Sequence, residues 1–257
     1  MRGDNKMQQK KNSGQILLIA AFIIASLLLS AQLYILEVGK ITTEEESYSL
    51  SDFVLAMKLG SRHVVIGSLA NMSNGWQTST LAFNLEKWSS LISEQYPLGR
   101  NALNHTLRET TPYSSGIWMN WGADGAGVSS AYVDFTYKLS DREVNINQSY
   151  VMNITTTVSV ESTYRTISGD TKQVNVTVNL LNEAQPALAK QVTIYYKVSN
   201  SWLIPNATNN YEVTDYGNGT YIASFNAYIP SQSVEVSAHV VDRREIYVQA
   251  NATSTQI

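Results

Sequence analysis

The chain contains no cysteine. That absence removes three chemistries together: disulfide staples, thiolate nucleophiles and thiolate-ligated zinc. A chain of 257 residues is long enough to bury a core without staples, in one to two domains. Charge is scarce too. Only 15% of residues are Asp, Glu, Lys or Arg. Asn, Ser, Thr and Tyr take their place, a composition suited to β-rich surfaces rather than long charged helices. The charge present is uneven. Residues 1–14 hold Arg2, Lys6, Lys10 and Lys11 against Asp4, a net +3; the whole chain carries −3, so the remainder carries −6. An acidic remainder lacks the basic stripe that phosphate binding needs, which argues against a nucleic-acid partner.

From Ile16 to Leu36 charge is absent for 21 residues. At ~1.5 Å rise per residue such a helix spans roughly 30 Å, the thickness of a bilayer core. Ser26, Ser30 and Gln32 make no polar stripe of the kind a buried soluble helix carries. Basic residues precede the run, so residues 1–14 are expected in the cytoplasm and the bulk of the chain outside. Tyr34, Glu37 and Lys40 then fall at the outer interface. The run exceeds the ~7–15 residues of a cleaved signal's apolar region. A cut after Ala31 would also put Leu29 where a small residue belongs. The helix is therefore expected to be retained, with the lipid bilayer as its partner.

The basic leader, then Gly14-Gln15, then the apolar helix resembles the class III signal of archaeal type IV pilin-like proteins. The resemblance implies that a prepilin peptidase cuts after Gly14 and that Gln15 becomes the N-terminus. It also implies a helix kept as anchor or filament core, with pilin-like subunits as partners. Two residues depart from the pattern. Ser13 stands where the family often has Lys or Arg, and Ile19 where many pilins carry a Glu that meets the next subunit. The apolar Ile19 points to a minor subunit rather than a polymerising one. An ordinary uncleaved signal anchor remains open. It would make the chain a monomeric, single-pass, membrane-anchored extracellular binding or sensory domain outside any filament.

Residues 41–166 read as helices followed by strands. Thr43 to Glu46 has the spacing of a capping box. Leu50, Val54, Met57, Ser61, Val64 and Ser68 recur at helical spacing, and Ala56, Gly60, Ser61, Gly67 and Ser68 are small enough for close packing. Asn74-Gly75 predicts the stop. A second helix shows one face at Leu81, Leu85, Trp88, Leu91 or Ile92, and Tyr96, and ends at Pro97 and Gly99. Beyond Pro112 the period becomes two. Val133, Phe135, Tyr137 and Leu139 form one apolar phase; Tyr150, Met152, Ile154, Thr156, Val158 and Val160 form another. The Gly122–Gly127 stretch lacks the spacing of a dinucleotide fingerprint and reads as a flexible turn. Helix, more helix and a small antiparallel sheet follow the order of parts in a pilin-like head.

Residues 167–257 read as short alternating strands: VNVTVNL, KQVTIYYKV, TYIASFNAYI, SVEVSAHVV and EIYVQA. Breaks fall at Asn182–Pro186, Asn200–Asn210, Tyr216–Gly219 and Pro230–Gln232. This spacing indicates a β-sandwich. The stretch YEVTDYGNGTYIASFNAYIP resembles a hairpin of immunoglobulin-like modules in surface proteins, with Asn218-Gly219 supplying positive φ. No Cys…Trp…Cys pattern exists, so antibody-type domains are excluded.

Eight Asn-x-Ser/Thr sequons occur, at Asn71, Asn104, Asn147, Asn153, Asn175, Asn206, Asn218 and Asn251. All lie on the outer side of the expected membrane helix, where N-glycosylation is possible. A chain this rich in Asn, Ser and Thr also yields some sequons by chance. Catalytic patterns are missing. His63, His105 and His239 lie in three elements without metal-ligand spacing, and no Gly-x-Ser-x-Gly elbow occurs. Asp124, Asp215 and Asp242 read as turn formers. Asp242 to Glu245 reads as a solvated turn with weak ion pairs. Trp202, between Asn200 and Pro205, is the best candidate for a ligand-contacting ring.

The expected class is α+β: an N-terminal transmembrane helix, a pilin-like helical plus antiparallel-sheet region, then an all-β immunoglobulin-like sandwich. The expected parts are a leader (1–14), the membrane or pilin-type helix (15–40), the pilin-like portion (41–166) and the sandwich (167–257). The expected role is a membrane-anchored structural or adhesive surface protein, not an enzyme, without cofactor or metal, contacting surface glycans or proteins.

Overall fold

A computed structural model describes residues 50–95, 100–140 and 145–257. The leader, the apolar run with Gly14 and Gln15, the Thr43–Glu46 cap and the Tyr96–Gly99 stop lie outside the described residues. The fold is α+β, dominated by antiparallel strands. Ala56–Ile257 forms one compact unit.

Among the described residues two helices come first, α1 (Leu50–Ser73) and α2 (Thr80–Gln95). α1 ends where Asn74-Gly75 predicts. Gly75 takes φ +95°, and the amides of Gly75 and Trp76 donate to the carbonyls of Met72 (3.0 Å) and Asn71 (3.1 Å). These are the two bonds of a Schellman cap, which glycine makes without a Cβ penalty. The buried face of α1 is Met57, Ser61, Val65, Ser68, Leu69 and Met72, so Val65 rather than Val64 faces inward. In α2, Leu81, Leu85 and Ile92 are buried while Leu91 is exposed, which resolves that ambiguity. The helices approach closely at Gly60: a Cβ there would lie 2.3 Å from the Trp88 ring. Trp88 Nε1 donates to Ser61 Oγ (2.9 Å), which also bonds Tyr150 Oη (3.0 Å). Gly67 faces open space and has no such role.

By length and composition, one described helix, Phe53–Ser73, is apolar enough to cross a membrane. Its pattern of exposure is that of a packed helix. Val65 and Leu69 are fully buried, while His63 is exposed on the opposite side and Arg62 lies at the edge of the buried face, where it reaches Glu183 Oε2 at 4.0 Å.

The strands form two sheets. The first runs β1 (Arg100–Leu107), β3 (Ala126–Ser140), β4 (Asn145–Ser168), β5 (Thr171–Asn182), β10 (Thr220–Tyr228), β9 (Glu212–Asp215). β2 (Ile117–Trp121) pairs β3, β6 (Gln185–Pro186) pairs β5, and β13 (Thr255–Gln256) joins β4 in parallel. The second sheet runs β12 (Tyr247–Thr253), β11 (Glu235–Asp242), β7 (Ala189–Val198), β8 (Ser201–Leu203). β4 is the hinge of the architecture. Its first part pairs β3 from Asn145↔Ser140 to Ser159↔Ala126, and its second pairs β5 from Thr156↔Asn182 to Ser168↔Thr171. The 166/167 division drawn from sequence thus falls inside β4 rather than in a linker. Composition changes there, but hydrogen bonding does not stop.

One face of the first sheet is covered along its length. Val133, Phe135, Tyr137 and Leu139 are buried on the helix-covered half, in the predicted phase. On the other half Val158, Val160, Val174, Val176, Val178 and Phe225 pack with Ile194, Val236, Ala238, Val240 and Val248 of the second sheet. Period-two alternation places these residues on one side and Asn, Ser and Thr on the other.

Three segments differ from their sequence reading. The Gly122–Gly127 stretch is a clasp, not a loose turn. Gly125 N donates to Asn251 O (2.8 Å), Asn251 N to Gly122 O (3.0 Å) and Val160 N to Gly125 O (2.7 Å). A Cβ on Gly127 would lie 2.0 Å from Gln249 O, so the sheets meet there backbone to backbone. The Asn200–Asn210 break contains β8, which continues the second sheet. In the Tyr216–Thr220 turn the positive φ angles belong to Gly217 (+72°) and Gly219 (+86°), not to Asn218.

Candidate functional surfaces

The sequons are spread over helix, strands and turns. Asn71 lies in α1, Asn206 caps the short helical turn Ala207–Asn209, and Asn218 sits on the β9–β10 turn. Asn104 is in β1, Asn147 and Asn153 in β4, Asn175 in β5 and Asn251 in β12. Two clefts open beside them on the uncovered side of the first sheet. One, of about 610 Å³, is lined by Asp124, Glu161, Thr163, Asn175, Thr177 and Thr255. The other, of about 380 Å³, is lined by Trp118, Asn120, Thr155, Thr157, Asn179 and Leu181.

Trp202 lies on β8 and is 40% exposed. Lys197 Nζ stands 5.7 Å from its ring centre and bonds Glu235 at 2.8 Å. No second tryptophan joins it: Trp76 is at the α1–α2 turn, Trp88 is on α2, and Trp118 and Trp121 are on β2. The rings that the fold does gather lie elsewhere. Trp121 meets Tyr247 at 5.0 Å, Tyr247 meets His239 at 5.7 Å, and His239 meets Tyr195 at 4.4 Å. The last three rise from adjacent strands of the second sheet, on the face turned from the core. Each is half-buried. Burial, and next the charge of a neighbouring Tyr195 phenolate, push the Tyr247 hydroxyl up to about 12. Burial alone pulls His239 below its ordinary value. Sequence alternation puts each ring on the outward phase; only strand register makes them neighbours.

The remaining candidates for chemistry are dispersed. His105 Nδ1 lies 3.3 Å from Ser89 Oγ. Burial lowers His105, and the Glu86 charge partly offsets this. Ser89 lies inside α2, where backbone amides are spent on the helix, so no pair of free N–H groups stands ready for an oxyanion. Among the described residues no group of three or more His, Asp or Glu side chains is placed to hold a metal ion.

The Asp242–Glu245 turn is solvated at Arg243 and Glu245, as its sequence reading has it, but Asp242 and Arg244 turn inward into an ionic knot. Asp242 is fully buried. Its Oδ1 accepts from the amides of Arg244 (2.8 Å) and Ile246 (2.9 Å), and its Oδ2 from Arg244 Nε (2.9 Å) and Thr156 Oγ1 (3.1 Å). Arg244 Nη1 reaches Glu183 Oε1 at 2.7 Å. The knot is structural: both Asp242 carboxylate oxygens are spent on it. It pins the β11–β12 turn to β4.

No protein-family model matches this chain, and no curated protein is similar to it.

Proposed function

We propose that this chain is an envelope-anchored surface protein that holds its α+β head outside the cell, in a structural or adhesive role. The observation that carries the reading is the 21-residue uncharged run Ile16–Leu36 behind four basic residues. Such a run is stable in lipid or in the helical core of a filament, and the basic side stays in the cytoplasm. The Gly14-Gln15 junction supports processing by a prepilin peptidase, and hence a minor pilin or pilus-associated subunit. A pilin-like first portion is supported by the order helix, helix, antiparallel sheet. An immunoglobulin-like second portion is supported by two face-to-face sheets with an aliphatic core. An adhesive role gains support from the aromatic row, since rings with one open face stack on sugars and on other side chains. The reading involves no catalysis, cofactor or metal.

The second reading is a monomeric anchored binding or sensory domain, favoured by Ile19 where a polymerising pilin carries Glu. Intact mass and N-terminal sequencing of protein from the cells that make it separate the two. Loss of residues 1–14 is the outcome expected here. A retained leader on membrane-bound protein would overturn the pilin route and leave the anchored domain. Full-length protein dissolved in cytosol without detergent would overturn both.

A further inference from the structure

Four sequons share one surface. Side chains alternate across a strand, so an Asn and the Ser or Thr two residues later leave the same face. Asn104 with Thr106, Asn147 with Ser149, Asn153 with Thr155 and Asn175 with Thr177 each present the whole motif together. Strand register puts all four on the uncovered face of the first sheet. Asn104 lies opposite Thr136, Asn147 opposite Lys138, Asn153 opposite Tyr132 and Asn175 opposite Thr163. These partners are out of phase with the buried Val133, Phe135, Tyr137 and Val160. Asn104, Asn147 and Asn153 are exposed and Asn175 half-buried. Among the described residues, no hydrogen bond engages the side chains of Asn104, Asn147 or Asn175. Asn153 uses only its Oδ1, accepting from Thr155 Oγ1 (3.2 Å), Tyr113 Oη (3.4 Å) and Ser130 Oγ (3.4 Å), and leaves Nδ2 free.

Asn71 is the opposite case. Its partner Ser73 is 3% exposed, and the Ser73 hydroxyl donates to Ala70 O (3.0 Å) while accepting from Tyr247 N (3.0 Å). That hydroxyl is buried and bonded away from Asn71, whereas Thr155 Oγ1, which also meets Ser130 Oγ (2.7 Å), keeps a bond to Asn153 itself. Asn251 is half-buried, with both backbone groups held by the Gly122–Gly125 clasp.

We infer that the uncovered face of the first sheet is a glycan-bearing face, with N-linked glycans on Asn104, Asn147, Asn153 and Asn175, and that Asn71 stays unmodified. The inference rests on the reading that the head lies outside the cell. The donor is an oligosaccharide linked through phosphate to a membrane lipid. A bond forms between Asn Nδ2 and the sugar's anomeric carbon. The bond from that carbon to phosphate oxygen breaks, the phosphate leaves with its electron pair, and one amide proton passes to solvent. A sheet face so covered takes no part in subunit packing. Partners of the head approach from the helices or the second sheet.

The test is glycopeptide and intact-mass analysis of the full chain from the cells that make it, wild type beside single variants. T106A, S149A, T155A and T177A are each expected to lose the mass of one glycan, and S73A none. The conservative T155S keeps its sequon and should keep its glycan, which separates loss of the motif from loss of the fold. Added protease on intact cells reports where the head lies. If it digests the head and the four asparagines are bare, or Asn71 is occupied, this inference fails while the surface reading stands. A head protected from protease overturns both.

Discussion

On the helix-covered half of the first sheet, large side chains rise from the strands: Phe135, Tyr137 and Leu139. The helical layer above offers small residues, Gly60 and Ser61, and Ser61 Oγ is bonded both by Trp88 of that layer and by Tyr150 of β4 below. On the sandwich half the strands offer valines, and the covering sheet answers with Ala238, Ala250, Val240 and Ile194. There the polar contacts move to the rim, in the Gly122–Gly127 clasp and the Asp242–Arg244 knot. The difference follows from geometry. Two helices cross along ridges and need a small residue where they approach, as Gly60 is against Trp88, whereas two sheets meet flat and pack evenly. One continuous β4 serves both solutions.

Substitutions break this comparison at its polar or small residues. The largest effect is expected on the sandwich side, at Asp242→Ala. It leaves Arg244 Nε and the amides of Arg244 and Ile246 without their acceptor, with Glu183 still facing the guanidinium, for a loss of about 3–5 kcal/mol, measured by urea unfolding. Glycines come next. Gly127→Ala forces a Cβ onto a backbone carbonyl, and Gly60→Ala forces one onto Trp88, with an expected loss of about 1–3 kcal/mol each. Gly127→Ala should be the worse, because a carbonyl in a ladder yields less than a ring. Gly67→Ala, with nothing within 4 Å, should instead stabilise the helix by up to about 1 kcal/mol. Equal losses at all three glycines would show that close approach is not what selects them.

Protonation gives the smallest effect and touches both halves, through His105 beside α2 and His239 on the second sheet. Both are held below their ordinary value of 6.5 by burial. The unfolded chain therefore binds more protons than the fold just below that value. Stability is fully present above pH 6.5 and falls as pH drops through and below it. Thermal midpoints should decline from about pH 7.5 to about 5.5, and the double variant H105Q/H239Q should flatten that slope. An unchanged slope would place the titrating groups elsewhere. At the alkaline end, Tyr247, pushed up to about 12, favours the fold below its ordinary range and loses that contribution as pH rises through it. An absorbance titration of phenolates follows this directly.

Much of the fold is written locally. The two helices, the Asn74-Gly75 stop and the alternating phases of β3, β4, β5, β10 and β11 follow from the spacing of apolar residues, because a buried face imposes its own period. The eight sequons are likewise visible as text. Less legible were the segments whose meaning depends on a distant neighbour. Gly127 is required by Gln249, more than a hundred positions away. Asp242 is buried against Thr156 of β4, although three charged residues follow it in sequence. Trp202 is marked in the sequence by its flanking Asn200 and Pro205, whereas Trp121, Tyr195, His239 and Tyr247 share no spacing that marks them as a row.

The amino-acid order alone determined which residues shun water, which segments coil or extend, and where an oily run parts a basic leader from the rest. Tertiary structure decided which strand lies beside which, and so which side of each strand is covered and which sequons share an open face. The reason is range. Helix and strand periods act over a few residues, whereas pairing and layer packing join groups far apart along the chain, and no local pattern encodes their partners.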